Sequence, residues 1–149
     1  MRTDTIKIGF SGTRRGMTAQ QKEALRALLA DYERIEFHHG SCIGSDEEAL
    51  KILFDRHNAW DFSTAHPGFS AKDGNEDDRS LWALKSSKYF VEPKPHFERN
   101  RNIVKECDLI IGAPPCEPLP EFGGTAYTIN YAKKVKKDTL IIWPSGFVE

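Results

Sequence analysis

The chain has 149 residues, of which 39% are hydrophobic and 29% are charged. This composition is typical of one globular domain and argues against a disordered chain. The 21 basic and 22 acidic residues nearly cancel, giving a net charge of −1, so no global positive field favours nucleic acid as a partner. No apolar run approaches the roughly 20 residues that a transmembrane helix needs. We expect a cytoplasmic domain spanning residues 1–149, without a signal peptide or membrane association.

The three cysteines carry little sign of chemistry. Cys42, Cys107 and Cys116 are widely spaced, and no two of them form a CxxC pair. This usage is typical of a reduced cytoplasmic protein and predicts no metal site. The sequence also predicts no resident cofactor. Of the three, we expect only Cys42 to contribute to function, because it lies in a loop rich in glycine.

Strand and helix patterns alternate along the first half of the chain. Short apolar, β-branched runs predict strands over residues 5–10, 35–38 and 60–65, each followed by a turn that contains glycine. Thr18 and Gln21 form a capping-box pattern at the start of a helix predicted over residues 18–33. A second helix begins near Ser45 or Asp46.

The second half begins with a segment that has no strong period. Residues 68–95 contain scattered Gly, Asp, Lys and Pro, and a loop of this length in a compact domain is usually a lid or a binding loop. Four further elements then follow along the chain: a helix over 96–106, a buried strand over 108–112, a helix from Gly123 to about 136, and a strand over 139–143. The alternation predicts a single Rossmann-like α/β domain with a doubly wound, mostly parallel sheet of about five strands and helices on both faces.

In such a sheet, ligands bind beyond the carboxyl ends of the strands. The turn Gly123-Gly124-Thr125 is the sharpest feature there, because it opens a helix whose first N–H groups are unpaired and whose dipole favours a phosphate. It matches neither the Walker loop nor the GxGxxG fingerprint. Arg14 and Arg15 in the first turn are candidates to clamp phosphate oxygens.

Arginines on the helix over 96–106 have two interpretations. Arg99 and Arg101 either clamp phosphate or form a solvated helix face, and His66 before a Pro-Gly turn is a further candidate for ligand contact. The predicted ligand-binding residues are Ser11, Gly12, Thr13, Arg14, His39, Gly40, Ser41, Cys42, Gly44, Ser45, Asp46, His66, Arg99, Arg101, Asn102, Gly123, Gly124 and Thr125.

Four motifs in this order resemble the SLOG superfamily. They are the runs 9–14 (GFSGTR), 39–46 (HGSCIGSD), 99–104 (RNRNIV) and 123–125 (GGT). This Rossmann-like group includes the LOG phosphoribohydrolases, the DNA-processing protein DprA and small YspA-type proteins. The resemblance implies a nucleotide or nucleotide-derived ligand at the glycine-rich turns and a homodimer.

The chain departs from the LOG signature PGGxGTxxE. Phe122 precedes the paired glycines, the third glycine is absent, and Thr128 stands where the acid is expected. Cleavage of a glycosidic bond needs a carboxylate to stabilise positive charge on the sugar or to activate water. Glu121 and Asp46 are the candidate catalytic acids that would have to replace it.

Three functions follow from these patterns. The first is binding of a nucleotide-type ligand, such as a signal derived from NAD or ADP-ribose. The second is an enzyme, a nucleoside 5′-monophosphate N-glycosidase with a non-standard acid. The third is single-stranded DNA binding through Arg14, Arg15, Arg99 and Arg101, against which the net charge of −1 counts.

Overall fold

The computed structural model describes residues 2–149. In chain order the elements are β1 (Arg2–Gly12), α1 (Ala19–Leu29), β2 (Tyr32–His39), α2 (Ser45–Phe54), β3 (Phe62–Ala65), β4 (Gly68–Phe69), α3 (Leu81–Ser86), β5 (Tyr89–Phe90), β6 (Lys94–Pro95), α4 (His96–Glu106), β7 (Leu109–Ala113), α5 (Gly124–Lys134) and β8 (Asp138–Ile141). Among the described residues, no helix is long and apolar enough to cross a bilayer.

Over residues 2–149 the main sheet has six strands in the order β5-β3-β2-β1-β7-β8, and every neighbouring pair is parallel. The predicted α/β, doubly wound fold is confirmed. The prediction of about five strands missed β5, whose two residues pair with β3 at Thr64 and Ala65. A strand of two residues is too short for any period to reveal.

Helices cover both faces of the sheet. Successive side chains of β7 point to opposite faces of the sheet. Leu109 and Ile111 pack in the core beneath α1, α2 and α3. Ile110 points to the opposite face, where it packs with Ile103 and Val104 of α4. The central strands are therefore buried on both sides, which explains their near-continuous apolar sequence.

The start of α1 is the predicted capping box. The Thr18 hydroxyl accepts from the backbone N–H of Gln21 at 3.0 Å, and Gln21 Oε1 accepts from the Thr18 N–H at 3.0 Å. The buried Gln21 amide also donates to the carbonyls of Pro114 and Ile142, so it ties the helix to the loops after β7 and β8. The predicted end at residue 33 was wrong, because Tyr32 already lies in β2. Its ring still packs on the core, which is why it fitted the helical spacing.

Other predicted boundaries differ for similar reasons. The strand predicted from residue 60 begins at Phe62, since Trp60 is 64% exposed with the Arg34 guanidinium over its ring. The final strand ends at Ile141 rather than Trp143, whose N–H donates to the Phe147 carbonyl in a terminal turn. The segment predicted as a long loop contains β4, α3, β5 and β6 as short elements.

Candidate functional site

A cleft of about 670 Å³ lies at the carboxyl ends of the central strands. The chain runs from β1 to β2 on one side and enters β7 on the other, so the strand order reverses here. Ligands in doubly wound folds bind at this reversal. The volume lies within the range of small-molecule sites.

Many of the predicted ligand-binding residues come together in this cleft. Those that line it are Ser11, Gly12, Thr13, Arg14, Gly40, Cys42, Asp46, Arg99, Gly123, Gly124 and Thr125, together with Arg15 from the DNA-binding hypothesis. The four motifs of the sequence therefore converge at one cleft, although they are far apart along the chain.

Other predicted residues lie outside the lining of the cleft. They are His39, Ser41, Gly44, Ser45, His66, Arg101, Asn102 and the candidate acid Glu121. His39 Nδ1 accepts from the Ser41 N–H at 3.0 Å, and its Nε2 lies 2.8 Å from the Ser87 hydroxyl. Burial, reinforced by neighbouring positive charges, lowers the pKa of His39 to about 3. It is a neutral side chain that joins β2 to the residue after α3.

Close packing accounts for three of the glycines. A Cβ at Gly12 would lie 2.5 Å from the Cβ of Ser45, and a Cβ at Gly40 would lie 2.5 Å from Arg99 Nη1. Gly44 has a φ of +81°, and its Cβ would meet the Arg14 carbonyl at 2.2 Å. These positions need glycine for the turns to pack against α2 and α4, whether or not a ligand binds.

The N-terminus of α5 differs from these turns. Gly123 has a φ of +121°, and among residues 2–149, apart from its own chain neighbours, no heavy atom lies within 4 Å of where its Cβ would be. No side chain caps the helix and its first turn carries no acidic residue. The first N–H groups and the positive end of the helix dipole therefore face the cleft without a protein anion.

The N-terminus of α2 provides an internal comparison. It too lacks a side-chain cap, but Asp46, Glu47 and Glu48 occupy its first turn. Those carboxylates offset the positive end of the helix dipole and would repel the negative charge of a phosphate. Of the two helix ends, that of α5 is the one suited to a phosphate.

Arg99 is buried in the wall of the cleft, with 7% of its surface exposed. Its Nη1 donates to the carbonyls of Gly40 at 2.8 Å and His66 at 3.1 Å, and its Nε donates to Asn100 Oδ1 at 2.7 Å. The interpretation of Arg99 as part of a solvated face was wrong. Its hydrogen bonds hold the turn after β2 against α4.

Asp46 is a buried carboxylate beside this arginine. Its Oδ2 accepts from the N–H groups of Gly40 at 3.0 Å and Cys42 at 3.1 Å. Burial raises the pKa of Asp46 to about 6, although Arg99 and these N–H donors act in the opposite direction. The group therefore changes protonation close to neutral pH, as a general acid or base must.

Cys42 is not an activated nucleophile. Burial, together with the Asp46 charge, raises the pKa of its thiol to about 12. The thiol form, which is a poor nucleophile, is the one present at neutral pH. Cys42 lines the cleft as a small, weakly polar group.

The helix face of α4 explains why Arg99 and Arg101 have different surroundings. Its buried residues are Arg99, Asn100, Ile103 and Val104, a helical period that leaves position 101 facing away. Arg101 Nη1 donates to the Tyr127 hydroxyl at 2.7 Å, outside the cleft. The arginines of the DNA-binding hypothesis thus form no continuous track.

Sequence reasoning missed several residues that line the cleft. Among them are three residues of α4, namely His96, Phe97 and Asn100. Helical spacing could have predicted Asn100, because it shares the buried face of the helix with Arg99. The other missed group is the acidic segment, residues 73–78. Its lining residues are Asp73, Asn75, Asp77 and Asp78. The sequence indicated a binding loop here but not which of its residues face the cleft.

Comparisons with known proteins give likeness in structure but not in sequence. No family model and no curated protein sequence matches the chain. A molybdenum cofactor binding protein from Rippkaea orientalis matches with a TM-score of 0.64 and 18% identity, over 96% of this chain and 78% of that one. DprA from Streptococcus pneumoniae matches with a TM-score of 0.64 and 14% identity, over 92% of this chain and 50% of that one.

A third solved structure, the structural genomics target TM1055, matches with a TM-score of 0.57 and 14% identity. The match covers 90% of this chain and 72% of that chain. At these identities the likeness shows the fold alone. The neighbours are Rossmann-like, in agreement with the parallel sheet described above.

Proposed function

We propose that this chain binds a nucleotide or nucleotide-derived ligand in the cleft, with a phosphate at the N-terminus of α5. The observation that carries the proposal is an uncapped helix end, free of acids in its first turn and open to the cleft. Backbone N–H groups at such an end point at an anion, and the helix dipole adds to the attraction. The fold shared with DprA and with a molybdenum cofactor binding protein supports a SLOG-type ligand-binding domain.

Arg14 and Arg99 have different roles in the proposed site. Arg14 has a side chain that is 68% exposed and lies 3.7 Å from Asp78, so it can turn toward an incoming phosphate at little cost. Arg99 instead has its donors engaged within the protein, Nη1 by two backbone carbonyls, Nε by Asn100 Oδ1 and Nη2 by His96 Nδ1. We assign Arg14 to phosphate contact and Arg99 to holding the wall of the cleft in shape.

The remaining lining suits the rest of a nucleotide. Phe97 and Phe122 are exposed aromatic rings in the cleft, which allows a base to stack. The acidic segment repels phosphate and offers carboxylate acceptors to ribose hydroxyls. We therefore orient the ligand with its phosphate at α5 and its sugar toward residues 73–78.

Calorimetric titration with AMP, ADP, cyclic AMP, NAD, ADP-ribose and adenosine tests this proposal. At least one phosphate-bearing ligand binds with one site per chain, and adenosine binds at least about tenfold more weakly than AMP, a difference of about 1.4 kcal/mol. The absence of binding across the series, or equal affinity for adenosine and AMP, contradicts the proposal.

A second function, cleavage of the N-glycosidic bond, is favoured by one observation. Asp46 lines the cleft and has a pKa raised to about 6, whereas Glu121 does not line it. We propose Asp46 as the acid of that reaction. Incubation with nucleoside 5′-monophosphates, followed by chromatography for the free base, tests for turnover. Asp46→Asn should reduce the rate by about 100-fold or more while nucleotide binding persists. Release of base that is unchanged in this variant contradicts the assignment.

A further inference from the structure

Outside the cleft, three side chains from distant parts of the chain meet on one face of the sheet. His38 comes from β2, His66 follows β3, and Glu106 ends α4. One nitrogen or oxygen atom from each lies within 4.8 Å of the other two. Both imidazoles are buried, while the Glu106 side chain is 52% exposed.

The orientation of His38 is set by a second carboxylate. Glu36 lies two residues earlier on β2, so both side chains emerge on the same face of the sheet. His38 Nε2 lies 2.6 Å from Glu36 Oε2. A carboxylate accepts the Nε2 proton, which leaves the lone pair on Nδ1 pointing into the cluster.

His38 Nδ1 faces His66 Nε2 at 2.7 Å and Glu106 Oε2 at 3.9 Å. Two lone pairs at such a distance repel unless a proton or a cation lies between them. The other ring nitrogen of His66, Nδ1, is buried without a hydrogen-bond partner among residues 2–149. Hydrogen bonding within the described chain therefore leaves this pair incompletely satisfied.

We propose that His38, His66 and Glu106 bind a divalent transition-metal ion such as Zn²⁺, with water at the remaining position. Two imidazoles and one carboxylate form a set that zinc and other first-row metals accept. Glu36 would act as the outer carboxylate that fixes the ring of His38, an arrangement common around metal-bound histidines. The sequence prediction of no metal site was based on the spacing of the cysteines. That spacing carries no information about His38, His66 and Glu106, which are far apart along the chain.

The site needs only a small adjustment to take the ion. With metal–nitrogen distances of about 2.0–2.1 Å, two tetrahedral imidazole nitrogens lie about 3.3 Å apart. The rings must therefore separate by about 0.6 Å from their 2.7 Å contact. Glu106 lies at the end of its helix with an exposed side chain, so it can approach the ion and offers the route of entry.

Binding of the ion would also reach the wall of the cleft. The His66 carbonyl accepts from Arg99 Nη1 at 3.1 Å, and Arg99 lines the cleft. Fixing His66 therefore restrains the arginine that shapes the nucleotide site. The proposed metal ligands are not among the residues that line the cleft, so the metal site and the nucleotide site can be tested independently.

The test uses the full chain after removal of metal with a chelator. Titration with ZnCl₂ in a non-coordinating buffer should show one equivalent bound per chain, with a rise in melting temperature at saturation. Glu106→Gln and His66→Gln should each weaken binding at least tenfold, and Glu36→Gln should weaken it by about 10–100-fold. Glu106→Gln is the decisive variant, because an exposed side chain leaves folding unaffected.

Matched controls separate this site from adventitious binding to the surface. His57→Asn and Glu92→Gln change exposed residues elsewhere and should leave the affinity unchanged. With CoCl₂ as the probe, the absorption spectrum should show a low-symmetry site without a thiolate band, which excludes the neighbouring Cys107. Failure to bind one equivalent, unchanged affinity in Glu106→Gln and His66→Gln, or a thiolate band would each overturn the proposal. Nucleotide titrations of the same variants report on the cleft independently.

Discussion

Asp46 shows how one side chain can connect stability with function. Its carboxylate is buried between the turn after β2 and Arg99, and it accepts two backbone N–H groups. These donors and the arginine favour the charged form, yet burial outweighs them. Such a net destabilisation of a carboxylate is common where a protein needs the group to exchange a proton.

The raised pKa of Asp46 makes stability depend on pH. The pKa rises from an ordinary 3.8 to about 6 on folding, so protonation favours the folded state. Its contribution is fully present below pH 4 and is lost as pH rises through 6. Relative to Asp46→Asn, the wild type should lose about 2–3 kcal/mol between pH 4 and pH 7.5. Urea unfolding of both proteins at pH 4 and pH 7.5 measures this, and a constant difference contradicts it.

Arg99 and Arg101 occupy one motif but should respond differently to substitution. Arg99→Gln leaves two buried carbonyls without their donor and Asp46 without its cation. We expect a loss of about 3 kcal/mol in the free energy of unfolding. Arg101→Gln removes one hydrogen bond to Tyr127 and should leave stability near that of the wild type. Chemical denaturation measures the free energy of unfolding of both variants. Equal losses of stability in the two would contradict the structural role assigned to Arg99.

At the scale of elements, the contact between β1 and α2 sets the shape of the cleft. The Cα of Gly12 lies so close to Ser45 that any side chain there would collide with it. This contact brings the first turn beside the N-terminus of α2. The glycine is required by this approach, independently of any ligand.

Gly12→Ala should therefore destabilise the protein by about 1–3 kcal/mol through overpacking. Because the added Cβ would meet the Ser45 Cβ at 2.5 Å, Ser45→Gly in the same chain should recover part of the loss. Thermal unfolding of the two single variants and the double variant gives the coupling. Additive effects would show that the two positions do not collide.

Sequence patterns predicted elements well where periods were long. The helix over 96–106 has the predicted bounds, and its buried residues Arg99, Asn100, Ile103 and Val104 recur at helical spacing. The two-residue β5 could not be found, because its edge position depends on pairing with β3. The motif at 99–102 placed Arg101 and Asn102 with Arg99, but a helix turns 100° per residue and only Arg99 of these faces the cleft.

On the scale of the whole molecule, the strand order decides which turns become neighbours. Residues at the ends of β1, β2 and β7 meet because these strands are adjacent and parallel. The sequence predicted that glycine-rich turns share an edge, which the parallel sheet confirms. It could not predict the contact of His38 with His66 and Glu106, since this depends on the register of β2 with β3 and on where α4 ends.

Binding of an anion at the N-terminus of α5 is the central feature of the proposed site, and a change of one charge tests it. Outside its own helix, and among residues 2–149, a Cβ at Gly124 would have only Asn100 Nδ2 within 4 Å, at 3.8 Å, so side chains fit there. Gly124→Asp places a carboxylate where the phosphate would bind, and Gly124→Asn is its neutral match. Calorimetry at low salt, with the nucleotide that binds the wild type most tightly, measures the affinity of both variants. The Gly124→Asp variant should bind that nucleotide at least about tenfold more weakly than the Gly124→Asn variant. Equal affinities would contradict a phosphate at this helix end.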